Sequence, residues 1–225
     1  MVYEAPEYHP AFEEYCETIF ELSEDGFDVI QARIAERLEV SRPAVSEMVR
    51  RMEREGLVAF DDSGGIELTS DGETLANQVV RRHRLAERFL TDVLDLSWAD
   101  AHHEAGKWEH VISPVVEVAL VRVLGHPTTC PHGNPIPGSG YQQPVGGKRL
   151  TDLEVGGVFT VERIPEELEF RSGQLEYLET AGVQPGRTGV VTASSPDGTT
   201  TVEIDGKSFG VGAFASERIL VTTAG

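Results

Sequence analysis

Through the first half of the chain, apolar positions recur every three to four residues. Phe12, Ile19 and Leu22 share a face of a helix predicted over residues 10–23, which Asp25-Gly26 breaks. Ile30, Ile34 and Leu38 continue the period into a second helix. After a short turn at Val40-Ser41, Ser41 is placed to cap a third helix with Pro43 in its first turn; Val45, Met48, Val49 and Met52 form its stripe and Gly56 ends it. The pattern then changes to two short strands, 57–60 and 66–68, around an Asp/Gly-rich turn at 61–65. Thr69 or Ser70 opens a long helix to about residue 95. Ser97 with Asp100 resembles a capping box for a helix to about 112, and Ser113-Pro114 opens another through Leu124.

Beyond Leu124 the texture is different. Of the 23 residues from 125 to 147, 11 are glycine or proline, which reads as a linker or extended loop. Alternating segments with glycine turns follow at 157–163, 188–193, 199–205, 208–214 and 219–222, with hairpin signals at Asp197-Gly198 and Asp205-Gly206. The predicted class is mainly α with a small all-β C-terminal domain.

Charge modifies this picture. The 225 residues carry 38 acids against 19 bases, a net −19, and only three of the bases are lysine (Lys107, Lys148, Lys207). A carboxylate-rich, lysine-poor surface suits a halophile, because a Debye length of ~3 Å at 1 M salt screens its self-repulsion. An ordinary acidic protein is the alternative. Such a chain is expected to bind nucleic acid poorly at low salt, an objection that brine weakens. The best membrane candidate, Val111–Leu124, is interrupted by Pro114, Glu117 and Arg122, and the N-terminus resembles neither a secretory nor an organellar leader. A cytoplasmic location is expected, where Cys16 and Cys130 remain thiols. Against the acidic background, residues 31–54 hold six arginines and four glutamates, and Arg81, Arg82, Arg84 and Arg88 form a second basic cluster.

Helix, turn, helix and two-stranded hairpin together make a winged helix-turn-helix. Its second helix would present Ser41, Arg42, Pro43, Ala44, Ser46, Glu47, Arg50 and Arg51 to double-stranded DNA, with N-terminal residues at base edges and the arginines below on phosphates. Glu47 would repel phosphate, although a carboxylate can accept from cytosine N4.

Metal-binding residue types crowd the neighbouring helices. His83 and Glu87 are spaced i, i+4, Glu14 and Glu17 i, i+3, and His102, His103, Glu109 and His110 lie close together. Imidazole with carboxylate suits Mn²⁺, Fe²⁺ or Zn²⁺. Each pair alone reads as a surface ion pair before it reads as a metal site. Four of the seven histidines within 28 residues bring the metal reading level with that one.

The stretches Arg33-Ile-Ala-Glu-Arg-Leu38, Arg51-Met-Glu-Arg-Glu-Gly-Leu57, His83-Arg-Leu-Ala-Glu-Arg88, Trp108-Glu-His-Val111 and Gly133-Asn-Pro-Ile-Pro-Gly138, taken in order, resemble the diphtheria-toxin-repressor family of metal-dependent transcriptional regulators. The resemblance implies a DNA-binding domain (1–74), a helical dimerisation and metal-binding domain (75–147, with the Pro/Gly-rich linker at 125–147) and an SH3-like barrel (148–225). It also implies two metal sites per protomer and a homodimer on a palindromic operator of metal-homeostasis genes, with no small organic substrate. At the primary site Glu109 and His110 match the family's pair. Glu14 stands where iron-responsive members carry methionine and manganese-responsive ones aspartate, and Glu17 matches a further carboxylate of the manganese branch. Gly106 replaces the cysteine or glutamate of the two branches and offers at most its carbonyl. At the ancillary site His83, Glu87 and His102 match, with Glu166 and Glu169 falling where the family supplies ligands from the C-terminal domain. Hard ligands favour Mn²⁺, Fe²⁺ is also acceptable, and Zn²⁺ or Co²⁺ can substitute in vitro. On this assignment, loss of His83 is expected to act more mildly than loss of His110. Cys130-Pro-His132 is a rival ligand pair whose expected role is loop structure.

Two other classes are consistent with parts of the chain. A His/Glu metalloenzyme would need an open catalytic position, but no H-E-x-x-H or phosphate loop is present, and G-x-S-x-G occurs only at 206–210, in a hairpin signal and not at a strand-to-helix elbow. A winged-helix sensor of an organic ligand would leave the histidines unexplained.

Overall fold

The computed structural model describes residues 10–62, 64–144 and 146–223. The turn over 61–65 and the loop over 125–147 therefore each include one residue, Ser63 and Val145, outside the described set, as are the chain ends at 1–9 and 224–225.

Three helices, α1 (Pro10–Glu24), α2 (Gln31–Arg37) and α3 (Arg42–Arg54), lead into the antiparallel hairpin β1 (Val58–Phe60) and β2 (Ile66–Leu68). The Ser41 hydroxyl caps α3 by accepting from the Ala44 N–H. At its other end Leu57 N–H donates to Met52 C=O and Gly56 N–H to Glu53 C=O, with Gly56 at φ +76°. This is a Schellman end, in which glycine takes the left-handed turn without a Cβ penalty. It swings the chain directly into the wing. Val45, Val49, Met52, Leu57 and Ile66 then pack with Cys16, Ile19 and Ile34 in one buried cluster.

Helix α4 (Ser70–Asp92), capped by Thr69, begins against this cluster through Leu75, Ala76 and Val79. A Cβ on Gly72 would collide with the Leu57 carbonyl, so only glycine lets α4 approach the wing this closely. The same helix continues into a second cluster with α5 (Trp98–Trp108) and α6 (Pro114–Val123), where Leu85, Leu90, Ala101, Ala105 and Ile112 are buried. Helix α4 ends at Asp92, short of the predicted 95, because Asp95 turns left-handed (φ 58°) and Leu96 N–H reverts to Leu90 C=O.

The C-terminal region is a six-stranded antiparallel sheet of order β3-β8-β4-β5-β6-β7: Lys148–Arg149, Val158–Arg163, Thr188–Ser194, Thr200–Ile204, Lys207–Val211 and Leu220–Thr222 are β3 to β8 in chain order. Three short helices, α7 (Glu166–Glu169), α8 (Gln174–Thr180) and α9 (Ala213–Ser216), were absent from the sequence reading. Four residues, the length of α7 and of α9, are too few for a helical period to register, and α9 replaces the end of the strand expected over 208–214. Trp98 of α5 is buried in the core of this sheet, and its backbone N–H donates to the Glu179 carboxylate at 3.2 Å. The β-region is therefore packed onto the helices. The Pro/Gly-rich stretch is extended but not a solvated tether: Cys130, His132, Asn134 and Ile136 are all buried. No described helix is long and apolar enough to cross a membrane.

Candidate metal centre

Three elements converge on a buried polar seam. Helix α4 contributes His83 and Glu87 from one face, α5 contributes His102, and Glu109-His110 follow where α5 ends. Helix α1 supplies Glu13, Glu17 and Glu21 on a single i, i+4, i+8 line, all of them buried.

His83 lies at the centre. Its Nδ1 is 2.5 Å from Glu109 Oε2 and 4.0 Å from Glu17 Oε1, while Nε2 is 3.3 Å from Glu87 Oε1. Glu17, His83 and Glu109 offer ligand atoms within 4.8 Å of one another, and His83, Glu87 and His102 do so on the other side. The two sets share one imidazole. His110 adjoins the first through Glu109, with Nε2 3.1 Å from Glu109 Oε1 and Nδ1 2.6 Å from Glu13 Oε2. A carboxylate on Nδ1 fixes the ring and leaves Nε2 free to ligate, the usual support for a metal-binding histidine.

Two expected residues behave differently. Glu14 points to solvent, and Glu13 beside it is buried against His110. The signal for Glu13 was present in the i, i+4 spacing of Glu13 and Glu17, which the i, i+3 pairing of Glu14 with Glu17 obscured. Gly106 sits in α5 with open space where a Cβ would be, so the position presents no side-chain ligand.

On the far side, His102 Nδ1 lies 3.0 Å from Glu87 and 3.1 Å from Glu169 of α7. His102, Glu166 and Glu169 form a further set of candidate ligands. Glu166 is held by Arg84, which is itself fully buried and also pairs with Glu24 of α1 at 2.8 Å.

The residues fit a cation better than they fit each other. Glu13 Oε1, Glu17 Oε1, Glu87 Oε2, Glu166 Oε2 and Glu169 Oε2 are buried without a well-formed hydrogen bond. An unsatisfied buried acceptor costs about 1–3 kcal/mol, more when charged. Protons substitute for the missing positive charge. Burial, then Glu109 and Glu21, push the Glu17 carboxyl well above its ordinary range. Burial opposes charging of His83, but Glu87 and Glu109 hold its imidazole well above its usual value. Burial likewise works against His102, whose bonds to Glu169 and Glu87 carry it to about 10.

These shifts predict a pH dependence. A group whose proton affinity rises on folding stabilises the fold below its unfolded value, and that stability is lost as pH climbs through the folded one. For His102 the window runs from 6.5 to about 10; His83, Glu17 and Glu166 act with the same sign. The metal-free chain should therefore melt at progressively lower temperature from neutral to alkaline pH. Added divalent cation, which replaces those protons, should stabilise more at the alkaline end. Calorimetric scans with chelator and with Mn²⁺ test this, and parallel curves would contradict it.

Residues 8–66 match the family model "Iron dependent repressor, N-terminal DNA binding domain", residues 69–138 "Iron dependent repressor, metal binding and dimerisation domain", and residues 148–223 "FeoA domain". The chain is 43% identical over 205 residues to iron-dependent repressor IdeR of Mycobacterium tuberculosis, covering 86% of this chain and 88% of that one. It is 44% identical over 182 residues to the diphtheria toxin repressor of Corynebacterium glutamicum, covering 77% and 80%. Among solved structures, a manganese-dependent transcriptional repressor in complex with manganese superposes with TM-score 0.82 at 32% identity, over 95% of this chain and all of that one.

The chain belongs to the diphtheria-toxin-repressor family of metal-dependent transcriptional regulators. As a member of this family it is a DNA-binding repressor and not an enzyme. Of the helices carrying the seam, α4 and α5 lie in the matched metal-binding and dimerisation domain, α1 in the matched DNA-binding domain and α7 in the matched FeoA domain. In this family member Val111, Val115, Val118 and Val123 are exposed along and beside α6, a large apolar face for one small helix. On α3, Arg42, Pro43, Ala44, Glu47 and Arg50 are exposed, with Ser46 half-buried. Arg51 is exposed too, but its guanidinium lies over the Phe12 ring at 4.8 Å, tying α3 to α1.

Proposed function

We propose that this regulator senses Mn²⁺ or Fe²⁺ in the cytoplasm, in concentrated salt, and as a homodimer represses metal-homeostasis genes from palindromic operators. The observation that carries the mechanism is that the primary ligands come from different elements: Glu17 from α1, His83 from α4, and Glu109 with His110 beyond α5, with Glu13 orienting His110. His83, Glu87, His102, Glu166 and Glu169 form the ancillary set, which reaches into the C-terminal region. A bound divalent cation supplies the positive charge that lets these carboxylates and imidazoles converge. Helix α1 packs in the same core as α3, so fixing Glu17 against His83 and Glu109 fixes the angle at which the recognition helix is presented. Two such helices must match half-sites about 34–36 Å apart, one turn of DNA. Metal then tightens DNA binding, and DNA tightens metal binding by the same factor.

The test is a DNA-binding titration in molar KCl, on a duplex selected from a random pool by the metal-loaded protein, with Mn²⁺, Fe²⁺, Zn²⁺ or chelator. Affinity should rise about 5–150-fold with Mn²⁺ or Fe²⁺. Equal affinity in chelator would end this reading. Glu13→Ala should lose most of the response and Glu14→Ala should retain it. A reversed order would return Glu14 to the ligand set.

On α3, Arg50→Ala should weaken binding to specific and random duplexes alike and reduce the salt slope by about one, because phosphate contacts position without specifying. Arg51→Ala should also lower thermal stability through its lost contact with Phe12. Glu47→Gln should tighten binding by removing a charge near phosphates. A loss of affinity confined to sites with one particular C·G pair would show that Glu47 reads a base.

A further inference from the structure

Helix α7 faces two ways. Glu166 and Glu169 meet the ancillary set, while the residues beside them meet the DNA-binding region. The Glu167 N–H donates to Asp25 at 3.3 Å, just past the end of α1, and Arg163 of β4 donates to Asp25 at 2.7 Å and to Glu24 at 2.9 Å. These bonds pin the start of α7 to the end of α1. Phe170 follows α7 at its other end. Its ring meets the His102 imidazole edge-on, with centroids 5.3 Å apart, and the Arg37 guanidinium of α2 lies 3.7 Å from the same ring's centroid.

Phe170 adds little to core packing, because 48% of it is exposed. Arg37 is the more constrained partner. Its side chain is buried and donates to Glu21 of α1 at 2.9 Å, one helical turn beyond Glu17. Its Nε makes no hydrogen bond, so Glu21 and the ring face hold the guanidinium. Arg37 is the last residue of α2, the first helix of the helix-turn-helix, and Ile34 and Ala35 of that helix share one buried cluster with Val45, Val49 and Met52 of α3. A close-packed core transmits displacement, so a shift of Phe170 is felt at α2 and then at the recognition helix.

We infer that Phe170 and Arg37 are positioning residues for DNA binding, carrying the state of the ancillary set to α2 by a route separate from the Glu17 ligand. The inference rests on the proposed ancillary set. With those ligands held by a cation, His102 and Glu169 fix the end of α7 and therefore the ring. A planar guanidinium stacks on an aromatic face, and an ammonium of the same charge does not reproduce that geometry. The stack therefore sets where α2 sits, beyond what charge on Glu21 alone achieves. The two metal sets then act on DNA binding at different places, the primary one through α1 and the ancillary one through α2.

The experiment combines three measurements on the full-length protein in molar KCl: Mn²⁺ stoichiometry by calorimetric titration, affinity for the selected duplex with Mn²⁺ and with chelator, and amide hydrogen exchange across α2. Phe170→Leu should still bind two Mn²⁺ per protomer and match the wild type in chelator. It should lose about 2- to 30-fold of the Mn²⁺-stimulated affinity, the range of a cation–π contact. Arg37→Lys, which keeps a positive charge on Glu21, should lose a similar share, and the double variant should lose no more than the larger single loss. Mn²⁺ should slow exchange over Gln31–Arg37 more in the wild type than in Phe170→Leu. Four results overturn the relay while leaving both metal sets standing: full stimulation in Phe170→Leu, equal losses with Mn²⁺ and in chelator, additive losses in the double variant, or equal slowing of exchange. A second Mn²⁺ lost from Phe170→Leu alone overturns it too, since the ring would then act on the ligands and not on α2. A wild-type chain that binds only one Mn²⁺ removes the ancillary set and the relay together.

Discussion

His83→Ala is expected to reduce metal-stimulated DNA binding to the metal-free level, a loss at least as large as that of His110→Ala or Glu109→Ala. The family assignment alone placed His83 in the ancillary set and so anticipated a mild effect. The geometry makes it common to both sets, with Nδ1 toward Glu109 and Glu17 and Nε2 toward Glu87. Truncating it removes a donor from each set and leaves three buried carboxylates facing one another without an imidazole between them. His102→Ala removes a donor from the ancillary side only, so it should rank below the other three. The full span of the metal response, about 5–150-fold in DNA affinity, is available to be lost. Fluorescence anisotropy with the selected duplex across a Mn²⁺ series in molar salt gives the order directly. If His83→Ala proves milder than His110→Ala, the two sets act independently and the shared imidazole is a packing residue.

Arg84→Met is expected to destabilise the folded chain by about 3–5 kcal/mol, the cost of removing one partner from a buried charge network. At about 2–4 °C per kcal/mol for a chain of this size, the melting temperature should drop by roughly 6–20 °C. Arg84 is fully buried on α4. Its guanidinium donates to Glu24 of α1 through two nitrogens, to Glu166 of α7, and to the carbonyl of Pro135 in the Pro/Gly-rich loop. No other described arginine joins α1, α4, that loop and α7. Methionine fills the stem's volume, so packing loss is small and the uncompensated Glu24 and Glu166 dominate. Burial, together with Glu169 and Glu21, already holds Glu166 well above the ordinary carboxylate range, and it would take up a proton readily once Arg84 is gone. The double variant Arg84→Met/Glu166→Gln should therefore recover part of the loss, with the recovery shrinking toward low pH. Denaturant melts of the metal-free chain measure this. A loss under about 1 kcal/mol would mean that solvent reaches the pair.

Several features were legible along the chain because they depend on local, periodic physics. The caps at Ser41, Thr69, Ser97 and Ser113 are single-residue hydrogen-bonding decisions, and all four side chains accept the expected backbone N–H groups. The stripe of Val45, Met48, Val49 and Met52 and the Gly56 stop specified α3 and its exit into the wing. His83 and Glu87 share a face because a helix repeats every 3.6 residues, whatever packs on it. The short helices α7 and α9 escaped detection because four residues cannot display that period.

Tertiary packing decided what neighbours could not announce. Glu13 and Glu14 are adjacent and chemically identical, and only the rotation of α1 against α4 and α5 buries the first on His110 and leaves the second in water. His83 belongs to two sets because Glu109 arrives from beyond α5 while Glu87 lies on its own helix, a juxtaposition with no sequence spacing of its own. The stretch from 125 to 147 has the composition of a tether. Yet its turn at Cys130-Pro-His132 is held in the interior by the bond from Ile164 N–H to His132 C=O, thirty-two residues away, and by the Asn134 side-chain amide on Ile164 C=O. Helical period and capping are short-range and can be read from residue order. Which carboxylates lose their water is set by the burial of whole elements against one another, and that burial is what turns acids scattered over an acidic chain into a metal centre.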